Sequence, residues 1–224
     1  MEVIRIQFLA AVTALCAMSP VSAASPSFDC TKAESSAEKL VCADEELAKL
    51  DRETARLFVL ARNGLRPNSP RVPELVGTQR GWIKGRDDCW KEPDVRVCVL
   101  RSYVIRISEL REGYINAIRQ DTAGISRGPL AVECANLGSP VSATFIQTNL
   151  PMVYLTWRNM YHLVLTLSPS GSGAKYLGTY DGDREVAFWE KGREALLELP
   201  GKMQFNCRIR EPGQGRVNPY SSRR

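Results

Sequence analysis

Residues 168–194 read SPSGSGAKYLGTYDGDREVAFWEKGRE. Turn-forming residues gather at 169–173, at Asp181-Gly182 and around Gly192. Between them lie two short runs, Ala174–Tyr180 and Glu185–Trp189, rich in aromatic and β-branched residues. Runs of this length bounded by turn signals predict two paired strands. The stretch also sets out two clusters, Ser172-Gly173-Ala174-Lys175-Tyr176 and Phe188-Trp189-Glu190-Lys191-Gly192. Each joins a glycine, an aromatic ring and a lysine, and the first adds a serine. That chemistry suits a rigid loop pair presenting a hydroxyl and an ammonium to a partner.

The same texture extends on both sides. Leu130–Ala135, Val141–Thr148, Met152–Trp157, His162–Leu167, Ala195–Leu199 and Met203–Ile209 are further short runs. Turn signals at Gly138-Ser139-Pro140, Asn149-Leu150-Pro151, Arg158-Asn159 and Pro200-Gly201 separate them. About eight strands with hairpin-length connections predict an antiparallel barrel or sandwich.

Upstream the pattern is helical. Ser35 followed by Glu38 predicts a capping box, and Asp44 a second helix start. Leu47, Leu50, Thr54, Leu57, Phe58 and Ala61 then mark one face, and Asn63-Gly64 a stop. Pro67, Pro70 and Pro73 predict a loop. Another helix is expected around Leu75, Gln79, Trp82, Ile83 and Arg86. Asp94 caps a long one whose stripe runs through Val97, Leu100, Val104, Ile107, Leu110, Tyr114 and Ile118. The pattern breaks between Asp121 and Pro129, where Gly124, Gly128 and Pro129 interrupt it.

Residues 1–23 read as a secretory leader: Arg5, then the apolar run Phe8–Met18, then small residues ending at Ala23-Ala24. That run is too short to span a bilayer. Cys16 lies within it, but Thr13-Ala14-Leu15 fits a lipidation site poorly, so a periplasmic or secreted protein without an anchor is expected. Of seven cysteines, Cys30, Cys42, Cys89, Cys98, Cys134 and Cys207 remain in the mature chain. An even count in an exported protein predicts three disulfides. Six cysteines allow fifteen connectivities; proximity favours Cys30–Cys42 and Cys89–Cys98, leaving Cys134–Cys207 to tie the first strand to the last. No paired CxxC occurs and His162 is the single histidine, so no metal or other cofactor is expected. The formal charge of +5 is spread along the chain without a basic stripe, which argues against a nucleic-acid partner. Residues 211–224, rich in Arg, Gly, Pro and Ser, read as a flexible tail.

Two readings of the clusters need no partner. In one, Tyr176 and Trp189 are strand-borne core residues and the lysines are solvated. In the other, Ser172-Gly173-Ala174-Lys175 spells the SxxK of penicillin-binding enzymes. That motif needs serine and lysine one helical turn apart, whereas in a strand i and i+3 face opposite sides. An enzyme is therefore not expected.

Phe28-Asp29-Cys30-Thr31-Lys32-Ala33, Glu38-Lys39-Leu40-Val41-Cys42-Ala43-Asp44, Leu50-Asp51, Gln79-Arg80-Gly81-Trp82, Arg86 and Cys89 resemble the LprI-type domain over roughly Phe28 to Arg111. The resemblance implies a disulfide-stapled helical bundle and transfers no mechanism. The two clusters, followed by Cys207, resemble the signature motifs of the MliC/PliC family, inhibitors of C-type lysozyme, over about Val132 to Cys207. This resemblance implies an eight-stranded antiparallel β-barrel and a C-type lysozyme partner. It also implies a binding site in which Ser172 and Lys191 enter the lysozyme cleft and meet its catalytic carboxyl groups. Gly173, Lys175, Tyr176, Trp189 and Gly192 complete that site, the two rings packing beneath the loops.

The expected architecture is α+β as two domains, a helical one over 28–120 and a β-barrel over 130–210. The alternative is a non-inhibitory envelope module binding peptidoglycan fragments or another exported protein. Because C-type lysozymes are basic, like this chain, the acidic turn Asp181-Gly182-Asp183-Arg184-Glu185 is expected to steer encounter from beside the two clusters.

Overall fold

Ser35 accepts from the Glu38 amide, and the Glu38 carboxylate accepts from the Ser35 amide, closing the predicted capping box at the start of α1 (Ser36–Ala43). Asp44 caps α2 (Glu45–Asn63) through the amides of Glu46 and Leu47. Asp94 caps α4 (Val95–Gly113) through Val97. The computed structural model describes residues 25–115, 121–158, 161–201 and 203–211. The expected leader with Cys16, Ile118 of the predicted stripe and the tail from residue 212 onward lie outside them.

Two helical expectations are corrected. α3 spans Arg71–Asp87, so Pro73 sits inside its first turn and not in a loop. The first amides of a helix have no intrahelical acceptor, so a proline there forfeits no hydrogen bond. The α4 stripe is also displaced at its N-terminal end. Val97 is 47% exposed, while Val99 and Tyr103 are fully buried. The Tyr103 hydroxyl decides that face. It donates to Asp51 Oδ1 at 2.9 Å and accepts from Arg86 Nη1 at 2.9 Å, joining α2, α3 and α4. Burial pushes the Tyr103 phenol well above its ordinary range. Trp82 Nε1 donates to the Ser102 carbonyl and Gln79 accepts from Arg106, so polar residues of α3 clamp it to α4.

The second half is a closed barrel of eight antiparallel strands in sequential order: β1 (Ser126–Cys134), β2 (Val141–Ile146), β3 (Met152–Trp157), β4 (Tyr161–Ser168), β5 (Ala174–Tyr180), β6 (Arg184–Lys191), β7 (Glu194–Leu199) and β8 (Met203–Arg210). β1 begins earlier than its apolar run, passing through Gly128 and Pro129 where the register to β2 shifts. Such an irregularity accommodates a residue with no amide to donate. Alternate residues fill the interior, among them Val132, Phe145, Leu155, Leu165, Tyr176 and Phe188. β1 and β8 close the barrel in a register that pairs Cys134 with Cys207.

The disulfides are Cys30–Cys42, Cys89–Cys98 and Cys134–Cys207. The last closes a loop 73 residues long in sequence, worth about 4 kcal/mol if its effect is the lost freedom of the unfolded chain.

The bundle packs on the outer face of β1–β3. Ile146, Met152 and Tyr154 point away from the barrel interior and belong to the helical core with Leu50, Ile107 and Leu110. Ser108 of α4 bonds Thr144 of β2 at 3.0 Å. The buried Arg111 donates to Ser126 Oγ at 2.7 Å and to Asp121 at 3.1 Å, and Ser126 Oγ in turn donates to Glu53 of α2. No buried side-chain nitrogen or oxygen among the described residues lacks a partner, so the seam carries no desolvation penalty left unmet.

An eight-stranded meander has two ends. The β2–β3, β4–β5 and β6–β7 connections emerge at one, here called the upper end. The β1–β2, β3–β4, β5–β6 and β7–β8 connections emerge at the other.

Candidate functional site

The two clusters converge at the upper end. The first supplies the β4–β5 loop, Pro169–Gly173, and the start of β5; the second supplies the end of β6 and its turn into β7. Phe188 and Val186 point inward, so Trp189 and Lys191 stand on the outer face. Lys175 is the direct cross-strand partner of Trp189 and shares that face.

Trp189 joins the two loops. Its indole Nε1 donates to the Ser172 carbonyl at 2.7 Å. The Lys191 ammonium lies over its ring at 4.3 Å, and that of Lys175 at 5.9 Å. At exposed sites such contacts contribute about 0.5–1 kcal/mol. Ser170 Oγ donates to the Gly173 carbonyl at 2.9 Å, tightening the loop from within.

Geometry requires glycine at 173 and favours it at 192. Gly173 has φ +68°, and a Cβ there would lie 2.3 Å from the Glu190 carbonyl oxygen and 2.7 Å from Lys191 Cγ. Only a bare backbone lets the β4–β5 loop close onto β6. Gly192, at φ +64°, opens the two-residue turn between the paired Lys191 and Glu194.

The exposed faces of this assembly are chemically free. Ser172 is exposed, and among the described residues its carbonyl is engaged while its hydroxyl is not. Among the described residues no carboxylate pairs with Lys175 or Lys191. Beneath them Tyr176 is buried against Phe145 and Phe188, at 6.0 and 6.5 Å between ring centres. Burial, helped by the nearby Glu190 charge, pushes its phenol up to about 12. Glu190 itself is half-buried with no hydrogen-bond or ion-pair partner among the described residues. Burial holds its carboxyl above the ordinary range, opposed by the Arg127 charge.

The two rings thus have different roles. Tyr176 packs beneath the loops as core, whereas Trp189 lies outside the barrel as their strut. The serine and lysine of SxxK do not form a nucleophile and base: no hydrogen bond joins Ser172 to Lys175, whose ammonium faces the indole. Sequence reasoning passed over Ser170 and Glu190. Glu190 shares a strand face with Phe188, which turns inward only once the barrel closes; Ser170 carried no signal beyond loop composition.

The acidic turn is misplaced in the sequence-based reading. Asp181–Asp183 connects β5 to β6, so it emerges at the opposite end of the barrel from the two clusters. The length of β5 separates them, about 20 Å at ~3.3 Å per residue. Asp181 is also paired with Arg184 at 2.7 Å. Adjacency in sequence is not adjacency in space when a strand intervenes.

Elsewhere, an open groove between α3 and α4 is lined by Arg71, Glu74, Trp82, Arg106 and Tyr114. Its arginines are committed, Arg106 to Gln79 and Glu109 and Arg71 to the Gly113 carbonyl and the Tyr114 ring. No cluster of His, Cys, Asp or Glu suited to a metal ion occurs among the described residues. None of the described helices is long and apolar enough to cross a membrane.

Residues 133–205 match the model of the family described as membrane-bound lysozyme-inhibitor of c-type lysozyme (MliC). No solved structure matches the chain. Similar proteins are the lipoproteins LprI of Mycobacterium bovis and of Mycobacterium tuberculosis. Each is 30% identical over 216 residues, a span covering 93% of this chain and 99% of the relative. The likeness therefore runs through the helices and the barrel alike, and the chain belongs to the LprI family.

Proposed function

We propose that this protein is an exported inhibitor of C-type lysozyme acting in the cell envelope, and that it inhibits by inserting Ser172 and Lys191 into the catalytic cleft. The observation that carries this reading is the strut. Trp189 holds the Ser172 loop by its carbonyl and the Lys191 ammonium by its ring, with Ser172 and Lys191 both exposed. The match of residues 133–205 to the lysozyme-inhibitor family supports the choice of partner.

The chemistry follows from the enzyme being blocked. A C-type lysozyme holds one carboxyl protonated and one ionised across its sugar cleft. The Lys191 ammonium meets the ionised carboxylate; the Ser172 hydroxyl donates to or accepts from the other. Neither step makes or breaks a covalent bond, so the protein acts as a plug and not as an enzyme. Preorganisation lowers the entropic cost of insertion, because both loops are already pinned before encounter.

Purified protein is expected to slow cell-wall lysis by a C-type lysozyme. Among the described residues Lys191 has no acidic partner, so Lys191→Ala is expected to leave the fold intact. Its cost falls on the complex, where one member of a desolvated charge pair is lost, about 2–5 kcal/mol. Inhibition at least tenfold weaker is expected. A well-folded double variant, Ser172→Ala with Lys191→Ala, that still inhibits fully would sink the mechanism. Calorimetric binding of muropeptides with no lysozyme complex would favour an envelope-fragment binder instead.

A further inference from the structure

A third connection emerges at the upper end. The β2–β3 loop, Gln147–Pro151, carries Leu150 at its tip, 51% exposed. An apolar tip would ordinarily belong to a loose loop, but this one is fastened on every side. Gln147 N donates to the Ile125 carbonyl at 2.7 Å, and Leu167 N donates to the Pro151 carbonyl at 2.8 Å. Thr148 Oγ1 donates to the Leu150 carbonyl at 2.8 Å. The remaining anchors come from the helical region. Lys49 Nζ donates to Asn149 Oδ1 at 2.9 Å, and Leu150 N donates to Glu46 Oε1 at 3.2 Å. Glu46 is itself held by Arg96 of α4 at 2.9 Å.

Position sets what this loop meets. The order β3-β4-β5-β6 places the root of the loop three strand spacings from the root of Lys191, about 14 Å at ~4.8 Å each. A standard protein interface covers about 800 Å² on each partner, a patch roughly 16 Å in radius. A partner centred on the Ser172 and Lys191 loops therefore reaches Leu150. Ligand clefts in general carry many hydrophobic and aromatic side chains, which offer a leucine a dry contact.

We infer that Gln147–Pro151 is a third contact element against the bound C-type lysozyme, with Leu150 its apolar anchor, and that the N-terminal end of α2 serves to hold it in place. This rests on the inhibitor reading and extends it to the helices. Among the described residues no hydrogen bond or ion pair joins the bundle to the plug loops; it fixes the loop beside them.

The test is lysozyme affinity, measured by calorimetry on the full mature chain. Leu150→Asp places a charge on an exposed tip, so its melting temperature should match the parent while its affinity falls at least tenfold. Lys49→Ala removes one anchor and is expected to weaken binding by about two- to tenfold. Met203→Asp is the matched control: Met203 is 54% exposed at the opposite end of the barrel, so its affinity should stay within twofold of the parent. Parent-like affinity in Leu150→Asp, alongside weakened binding in Lys191→Ala, overturns the third contact and leaves the inhibitor reading standing. Undiminished binding in Lys191→Ala overturns the insertion mechanism, and a parent chain that forms no lysozyme complex overturns the inhibitor reading itself.

Discussion

Replacing Trp189 with Phe separates the strut from the packing. The ring stays, so the outer face of β5–β6 keeps an aromatic surface, but the Nε1–H donor to the Ser172 carbonyl at 2.7 Å is lost. That carbonyl lies in an exposed loop where water can replace the indole, so the net loss is an ordinary hydrogen bond, about 0.5–1.5 kcal/mol. Phenylalanine is also the weaker cation partner for Lys191, now 4.3 Å from the indole ring, which adds about 0.5 kcal/mol. The sum, about 1–2 kcal/mol, corresponds to roughly five- to thirtyfold in dissociation constant. Because the loss is one of preorganisation, it should appear mainly in the dissociation rate. Trp189 is only half-buried, so melting should shift by no more than a few degrees. Calorimetry against a C-type lysozyme, with thermal unfolding of the free protein, reads both quantities. Parent-like affinity in Trp189→Phe would refute the strut. So would a large drop in melting temperature that accounts for all the lost binding, since Trp189 would then be packing alone.

Two further outcomes follow from charge. Glu190 is held above its ordinary range by burial without a partner, so its folded-state pKa exceeds its unfolded one. Below both values the group is neutral in either state and costs nothing; above both, the folded state bears an unpaired, partly desolvated charge. Glu190→Gln should therefore raise the melting temperature at pH 7.5, with the gain shrinking as pH falls into the carboxylate range. An equal gain at both pH values would point to packing. With a formal charge of +5 and a basic partner, and with the acidic turn at the far end, association with lysozyme should quicken as salt rises. Stopped-flow rates that fall with salt would instead reveal an attractive patch on the upper end.

Much of the architecture was legible because it rests on local chemistry. Ser35 with Glu38, Asp44 and Asp94 are caps whose partners lie within three residues, and each starts the helix it predicts. The turn clusters bound β2 to β8 to within two residues, since glycine and proline punctuate a hairpin wherever it lies, whereas β1 starts four residues before its apolar run. Cysteine proximity favoured two of the observed bridges and left Cys134–Cys207 as the third. The resemblance of the two clusters pointed to the loops that the barrel places at its upper end. Even the error over the acidic turn was avoidable: in a meander, successive hairpin turns alternate between ends.

Other features have no local signature. The expected stripe of α4 began at Val97 and passed over Tyr103, whose hydroxyl is drawn inward between the buried Asp51 and Arg86. The strand alternation of Tyr176 and Trp189 does not say which is inside, because only closure of β1 onto β8 defines an interior. The hold of α2 on the β2–β3 loop joins Lys49 to Asn149 across 100 residues of chain. Side-chain periodicity reports the environment of one element along its own axis. Which element supplies that environment, and which loops share an end of the barrel with it, is decided only when the strands close and the bundle docks.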